Sequence, residues 1–254
     1  MNFVEVALST PLRSTFTYKD ESNSSLLGKR VIVEFGSRSL LGIVVAENTK
    51  ANTDFKLKKI QEVLDYEPIL TPSTINKAFT IAEYYLHPIG EVIFSFLPTI
   101  LRKKKKSIEL EKYRKPRLLE KTSKPKLPKL TEDQTKCFEK ILESQNQEFL
   151  LFGVTSSGKT EIYKHLIKDY LSKGKSVLVL VPEIFLTPQI YESLNKSFKD
   201  SIEIFHSGLT DLQRYKVWLG ASTDTPKVYV GTRSAVFLPV KNLGLVIFDE
   251  EHDQ

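Results

Sequence analysis

Residues 153–160 read GVTSSGKT, which fits the pattern G-x-x-x-x-G-K-[ST]. Each residue type in that pattern has a use in holding a nucleotide. Gly153 and Gly158 let the backbone curl so that N–H groups of Thr155, Ser156 and Ser157 point inward at phosphates. Lys159 supplies a cation for the β- and γ-phosphates, and Thr160 offers a hydroxyl to Mg²⁺. Residues 243–252 read LGLVIFDEEH, an apolar run that ends in acids. Asp249 there can hold Mg²⁺, and Glu250 can orient and deprotonate an attacking water. Together the two segments make the two halves of a nucleotide-hydrolysis site.

These groups need a scaffold that brings both segments to one edge. From Leu130 onward the chain alternates strand and helix patterns. EFLLFG, SVLVLVP, IEIF, KVYVG and LGLVIF are short apolar runs suited to strands buried on both faces. Thr131 is placed to cap a helix running to about Ser144, and further helices are expected over 159–172, 187–198 and 210–219. This order predicts a parallel sheet flanked by helices, with the phosphate loop between strand 148–153 and the next helix. Ligands bind at the C-terminal ends of such strands, where Asp249 falls.

The first 65 residues have a different period. NFVEVAL, RVIVEF, LLGIVVAE and IQEVLD alternate as strands do, separated by turn-rich stretches, and predict a small β-barrel or sandwich. Pro72 then opens a helix with Ile75, Phe79, Ala82 and Tyr85/Leu86 at helical spacing, and Pro88 and Gly90 interrupt it. The expected organisation is a β-rich domain over 1–100, a basic linker over 101–129 and an α/β lobe over 130–254.

The net charge of +6 is concentrated in one segment. Residues 101–130 hold thirteen Lys and Arg against three acids, which leaves the rest of the chain at −4. Such a run favours a polyanion through counterion release, or equally serves as a solvated, self-repelling spacer. No apolar stretch is long enough to span a membrane, and the N-terminus lacks the pattern of a signal peptide. Cys137 is the single cysteine, so no disulfide framework or zinc site can form, and a reducing, cytoplasmic setting is expected.

A resemblance sharpens this. GVTSSGKTEIY, VPEIFLTPQ (181–189), HSGL (206–209), VGTRSAVFLP (230–239) and LVIFDEEHD are similar to the motor motifs of the PriA family of bacterial replication-restart helicases, superfamily 2 DNA helicases also called primosomal protein N′. VEVALSTPLRSTFTY (4–18) and YYLHPIGEVIFSFLP (84–98) resemble that family's N-terminal DNA-binding domain. The resemblance implies a RecA-like P-loop motor lobe preceded by a small β-rich domain that grips the 3′ end of a nascent strand at a stalled fork. It implies an ATP- and Mg²⁺-dependent 3′→5′ helicase that starts primosome assembly. Partners would be forked and single-stranded DNA, other primosome proteins and single-stranded-DNA-binding protein. The chain would be a monomer, with zinc bound only by family regions beyond Gln254.

The same resemblance assigns residues. Gln134 would read the adenine edge. Glu183, Thr187 and Gln189 would face DNA. Gly231, Thr232 and Arg233 would touch the DNA backbone, and His252 would couple the ATP site to DNA. Phe16, Thr17, Gly36 and Lys58 would form the 3′-end pocket: Phe16 stacking on the last base, Gly36 allowing close approach and Lys58 meeting a phosphate. The family often carries Asp where this chain has Thr17, and a carboxylate accepts a hydroxyl's hydrogen bond more strongly. The winged-helix domain that the family usually inserts has no room in residues 101–130. The second lobe, with its arginine finger, would follow Gln254. The chain alone is therefore expected to bind ATP weakly and hydrolyse it poorly. An alternative is a non-catalytic module that binds forks and senses nucleotide.

Overall fold

The computed structural model describes residues 2–22, 24–47, 57–106, 127–145, 148–154, 157–182 and 188–249. The chain divides into two units, with the division between Pro116 and Arg117.

The first unit is built on five antiparallel strands: β1 (Asn2–Leu8), β2 (Phe16–Asp20), β3 (Arg30–Phe35), β4 (Arg38–Glu47) and β5 (Ile60–Val63), in the order β2-β1-β4-β3-β5. Alternation along these strands sends Val4, Val6, Leu8, Val31, Val33 and Val44 into one core, joined by Tyr18 and Leu26. The sheet curls until its two ends meet. Lys19 pairs with Lys59 across the gap, and Lys19 N donates to Lys58 O at 2.9 Å. This near-closure leaves few strand-edge groups unpaired, and it brings Lys58 beside β2.

Helices α1 (Pro72–Tyr84) and α2 (Ile89–Ser95) follow. Thr71 caps α1, its hydroxyl accepting from Thr74 N, with proline at the first helical turn. The buried stripe of α1 is Ile75, Ala78 and Ala82, whereas the expected Phe79, Tyr85 and Leu86 are exposed. Gly90 does not end a helix but sits inside α2, where a Cβ would run into the Leu8 carbonyl of β1.

A short 3₁₀ turn, Thr99–Arg102, packs Leu101 into this unit. Arg30 is fully buried, forks onto Asp65 and donates to Leu101 O at 2.9 Å. Lys104 donates to Ser39 O, and Lys106 pairs with Glu62. The start of the basic segment, expected as linker, is thus anchored on the β-unit by buried and surface bonds that composition alone conceals. Residues 107–126 lie outside the described residues.

The second unit has four parallel strands, β6 (Ser176–Leu180), β7 (Ile202–Phe205), β8 (Val228–Gly231) and β9 (Leu243–Phe248), in the order β7-β8-β6-β9. Helices α3 (Glu132–Glu143) and α4 (Lys159–Ser172) precede β6, α5 (Pro188–Phe198) links β6 to β7, and α6 (Asp211–Ala221) links β7 to β8. The core joins Ile167 of α4 and Leu194 and Phe198 of α5 to Val177, Val179, Val228, Val230 and Ile247 of the sheet. Thr131 and Gln134, and again Thr210 and Gln213, form reciprocal capping boxes at the starts of α3 and α6. An α/β lobe of parallel sheet and helices after a β-rich domain is the fold class expected from the sequence.

One expected strand is absent. Residues 148–154 form neither strand nor helix among the described residues. Leu151 reaches the core, but Leu150 is 81% and Phe152 92% exposed. A parallel strand needs a hydrogen-bonded neighbour, and the ladder ends at β9, whose Phe248 is itself 61% exposed. An apolar run supplies a strand's side chains without supplying its partner.

No described helix is long and apolar enough to cross a membrane.

Candidate functional site

The phosphate loop enters α4 through Gly158, whose φ of 84° is left-handed. A side chain there would meet both that strain and the Gln134 amide. The turn is tightened by Ser157 N donating to Val154 O at 3.1 Å. Lys159 folds back so that its Nζ donates to Gly153 O at 2.8 Å. The cation therefore sits inside the curl, on a carbonyl oxygen that occupies an acceptor position a phosphate oxygen can take. The α4 N-terminus adds its partial positive charge at the same place. These residues fit a nucleotide's phosphates. Thr155 and Ser156 lie outside the described residues.

Gln134 meets this loop. Its Nε2 donates to Ser157 O at 3.3 Å, while its Oε1 accepts from Thr131 N. The amide thus ties the start of α3 to the loop. It does so with one of its two N–H donors and one of its two lone pairs, which leaves one of each for an adenine edge.

Asp249 follows β9, and its N–H donates to Leu180 O, so the backbone ladder positions it. Its Oδ1 lies 3.4 Å from Tyr163 Oη. Tyr163 stands three residues after Thr160 on α4, the spacing that places two side chains on one helix face. Asp249 is thereby tied to the helix that also carries Thr160. Glu250 and His252 lie outside the described residues. Tyr163 was not singled out from sequence, since a tyrosine in an amphipathic helix carries no signal of its partner.

Of the residues expected at DNA, Glu183 and Thr187 lie outside the described residues, and Gln189 is placed only as part of α5. Gly231 and Thr232 are buried, Thr232 at 3% exposure, with Thr232 N donating to Phe205 O. Arg233, which opens the 3₁₀ turn Arg233–Phe237, is the exposed member of the three.

In the β-unit, Phe16 opens β2 and packs edge-on against Phe35, with ring centroids 4.8 Å apart. It is half-buried against the core and half-presented. Gly36 turns between β3 and β4 with φ 60°, and nothing lies within 4 Å of where a Cβ would be. The glycine answers the turn's backbone rather than a close internal contact, and the space beside it is open. Lys58 Nζ bonds Glu34 Oε1 at 2.7 Å and Gly36 O at 3.0 Å. Tyr18 Oη donates to Glu34 O at 3.0 Å. Burial pushes the Tyr18 phenol above its ordinary value, and Glu34 adds to the rise, so it remains a donor. Phe16, Phe35, Gly36, Glu34 and Lys58 therefore form one contiguous rim. Thr17 lies next to it, and its Oγ1 donates to Glu5 Oε1 at 2.6 Å. Glu5 and Glu34 escaped sequence reasoning, since each reads as the polar member of an alternating strand. Strand β2 was also missed, although F-T-Y-K-D alternates.

Comparison with known proteins adds to this geometry. Residues 5–98 match the family model of the PriA 3′ DNA-binding domain, and residues 131–254 match that of the DEAD/DEAH box helicases. Similar proteins bear the name replication restart protein PriA. One from Rickettsia felis is 37% identical over 89% of this chain. One from Haemophilus influenzae is 33% identical over all of it, and one from Treponema pallidum 33% over 99%. The chain is similar along most of its length to PriA proteins. It spans 34%, 44% and 38% of the lengths of those three relatives. The Haemophilus alignment runs over 325 positions against the 254 residues here, whereas the Treponema alignment runs over 260. The former relative thus carries an insertion within the matched span that this chain and the latter largely lack.

Proposed function

We propose that this chain belongs to an ATP-dependent 3′→5′ DNA helicase that recognises stalled replication forks and starts primosome assembly. The observation that carries the reading is the tandem: a 3′ DNA-binding domain match followed in one chain by a helicase match whose phosphate loop and Asp249 are joined through α4. Lys159 and the N–H groups before α4 hold the ATP phosphates, and Thr160 and Asp249 hold Mg²⁺. Glu250 activates water, and His252 couples nucleotide to DNA. Arg233 touches the DNA backbone. The residues 1–100 form the fork-binding domain, with Phe16, Thr17, Gly36 and Lys58 at a 3′ end, and the basic segment is the linker to the motor lobe. Single-stranded-DNA-binding protein and primosome proteins are the partners.

The test is binding of the chain to a model fork whose leading strand ends in a 3′-hydroxyl or a 3′-phosphate. A preference for the hydroxyl supports the reading. Equal affinity for both, falling steeply with salt, overturns the 3′-end pocket and leaves only a general basic contact.

A further inference from the structure

We propose that the carboxylate of Glu5 is this chain's acceptor for the terminal 3′-hydroxyl of a DNA strand. The inference rests on the reading of the β-unit as a 3′-end pocket and names the group that gives the pocket its selectivity.

Glu5 and Thr17 stand directly opposite each other on antiparallel β1 and β2, adjacent to the pair Val6 and Phe16. Side chains so placed lie within about 5 Å of each other at Cβ. A carboxylate on β1 can therefore serve nearly the same point in space as a carboxylate at position 17. Both side chains are half-buried, so solvent reaches the pair without swamping it. The β1–β4 register shifts between Glu5 and Val6.

The hydrogen-bond inventory favours a hydroxyl ligand. Thr17 donates its one proton to Glu5 Oε1 and keeps only lone pairs. That bond is the one made by the Glu5 carboxylate among the described residues, so Oε2 remains an acceptor. The pair thus presents acceptors and no donor. A 3′-hydroxyl, which donates, is complementary to it. A 3′-phosphate, all acceptor and negatively charged, is not.

The experiment measures affinity of the full chain for forks whose leading strand ends in 3′-hydroxyl, 3′-deoxy or 3′-phosphate, at one salt concentration. The unaltered chain prefers the hydroxyl. Glu5→Gln reduces that preference about tenfold, the difference between a charged and a neutral acceptor. Glu5→Gln combined with Thr17→Asp restores it by moving the carboxylate across the strand pair. Retention of the full preference in Glu5→Gln, or failure of Thr17→Asp to restore it in that variant, overturns the proposal while leaving the 3′-end pocket standing. Absence of any preference in the unaltered chain overturns both.

Discussion

Tyr163 Oη of α4 lies 3.4 Å from Asp249 Oδ1 at the end of β9, so the helix that begins at the phosphate loop touches the acid that follows the opposite motif. Tyr163 and Asp249 stand 86 positions apart in sequence, and their contact joins the helix after the phosphate loop to the acidic motif. Replacing Tyr163 by Phe keeps the ring in the core and removes the hydroxyl. Nucleotide affinity in the presence of Mg²⁺ should fall by no more than about tenfold, with about 1 kcal/mol lost in stability. Isothermal titration with and without Mg²⁺ reads the first, and a denaturant midpoint the second. A loss of affinity equal in Mg²⁺ and in chelator contradicts a role through Asp249.

Arg30 and Asp65 form a pair from which solvent is excluded, with side chains at 0% exposure. Asp65 also accepts from Arg30 N, so it holds both the side chain and the strand. Asp65→Asn leaves a buried guanidinium without its counter-charge and should cost about 3–5 kcal/mol. Because the pair lies wholly within the first unit, the expected result is a lower melting temperature for that unit with the melting of the second unit unchanged. Equal shifts of both transitions would show that the units unfold together.

Leu86 has φ 52°, a left-handed conformation that carries a steric cost for any side chain with a Cβ, and it is 66% exposed. His87 N donates to Ala82 O and Leu86 N to Glu83 O, the bonding of a helix end where glycine is the usual residue. Leu86→Gly should therefore stabilise the first unit, by about 1 kcal/mol. Urea unfolding is the check. Destabilisation would mean that the leucine side chain makes contacts worth more than the strain it imposes.

The comparison between sequence and structure follows a physical line. Strands β1, β3 and β4 were legible because alternation over six or more residues reports a half-buried face directly. The helices α3, α4, α5 and α6 were legible from caps and periodicity, and their ends fall within about two residues of expectation. Residues 148–153 were not, because a strand exists only when another strand pairs with it, and partners are a property of the tertiary fold. The site divided similarly. Gly158 and Lys159 announce themselves by spacing. Glu5, Glu34 and Tyr163 acquire meaning only from the residue opposite, which no local pattern records.

The basic segment gives a prediction of its own. The thirteen cations of residues 101–130 should make DNA binding fall with salt, whatever the end chemistry. Substituting Lys112, Arg114, Lys115 and Arg117 together by Ser should flatten the slope of log affinity against log salt while leaving the ratio between hydroxyl- and phosphate-ended forks unchanged. A change in that ratio would place these cations at the 3′ end rather than along the backbone.

The most direct test of the nucleotide site at the centre of this account is a titration of the chain with a fluorescent ATP analogue, in Mg²⁺ and in chelator, for the unaltered protein, Lys159→Ala and Asp249→Asn. Lys159 Nζ on Gly153 O predicts saturable binding that Lys159→Ala weakens at least about tenfold. The position of Asp249 predicts that Asp249→Asn removes the advantage given by Mg²⁺ while leaving Mg²⁺-free binding nearly intact. Binding that is absent in the unaltered chain, or indifferent to both substitutions, would contradict the assignment of these two segments as one nucleotide site.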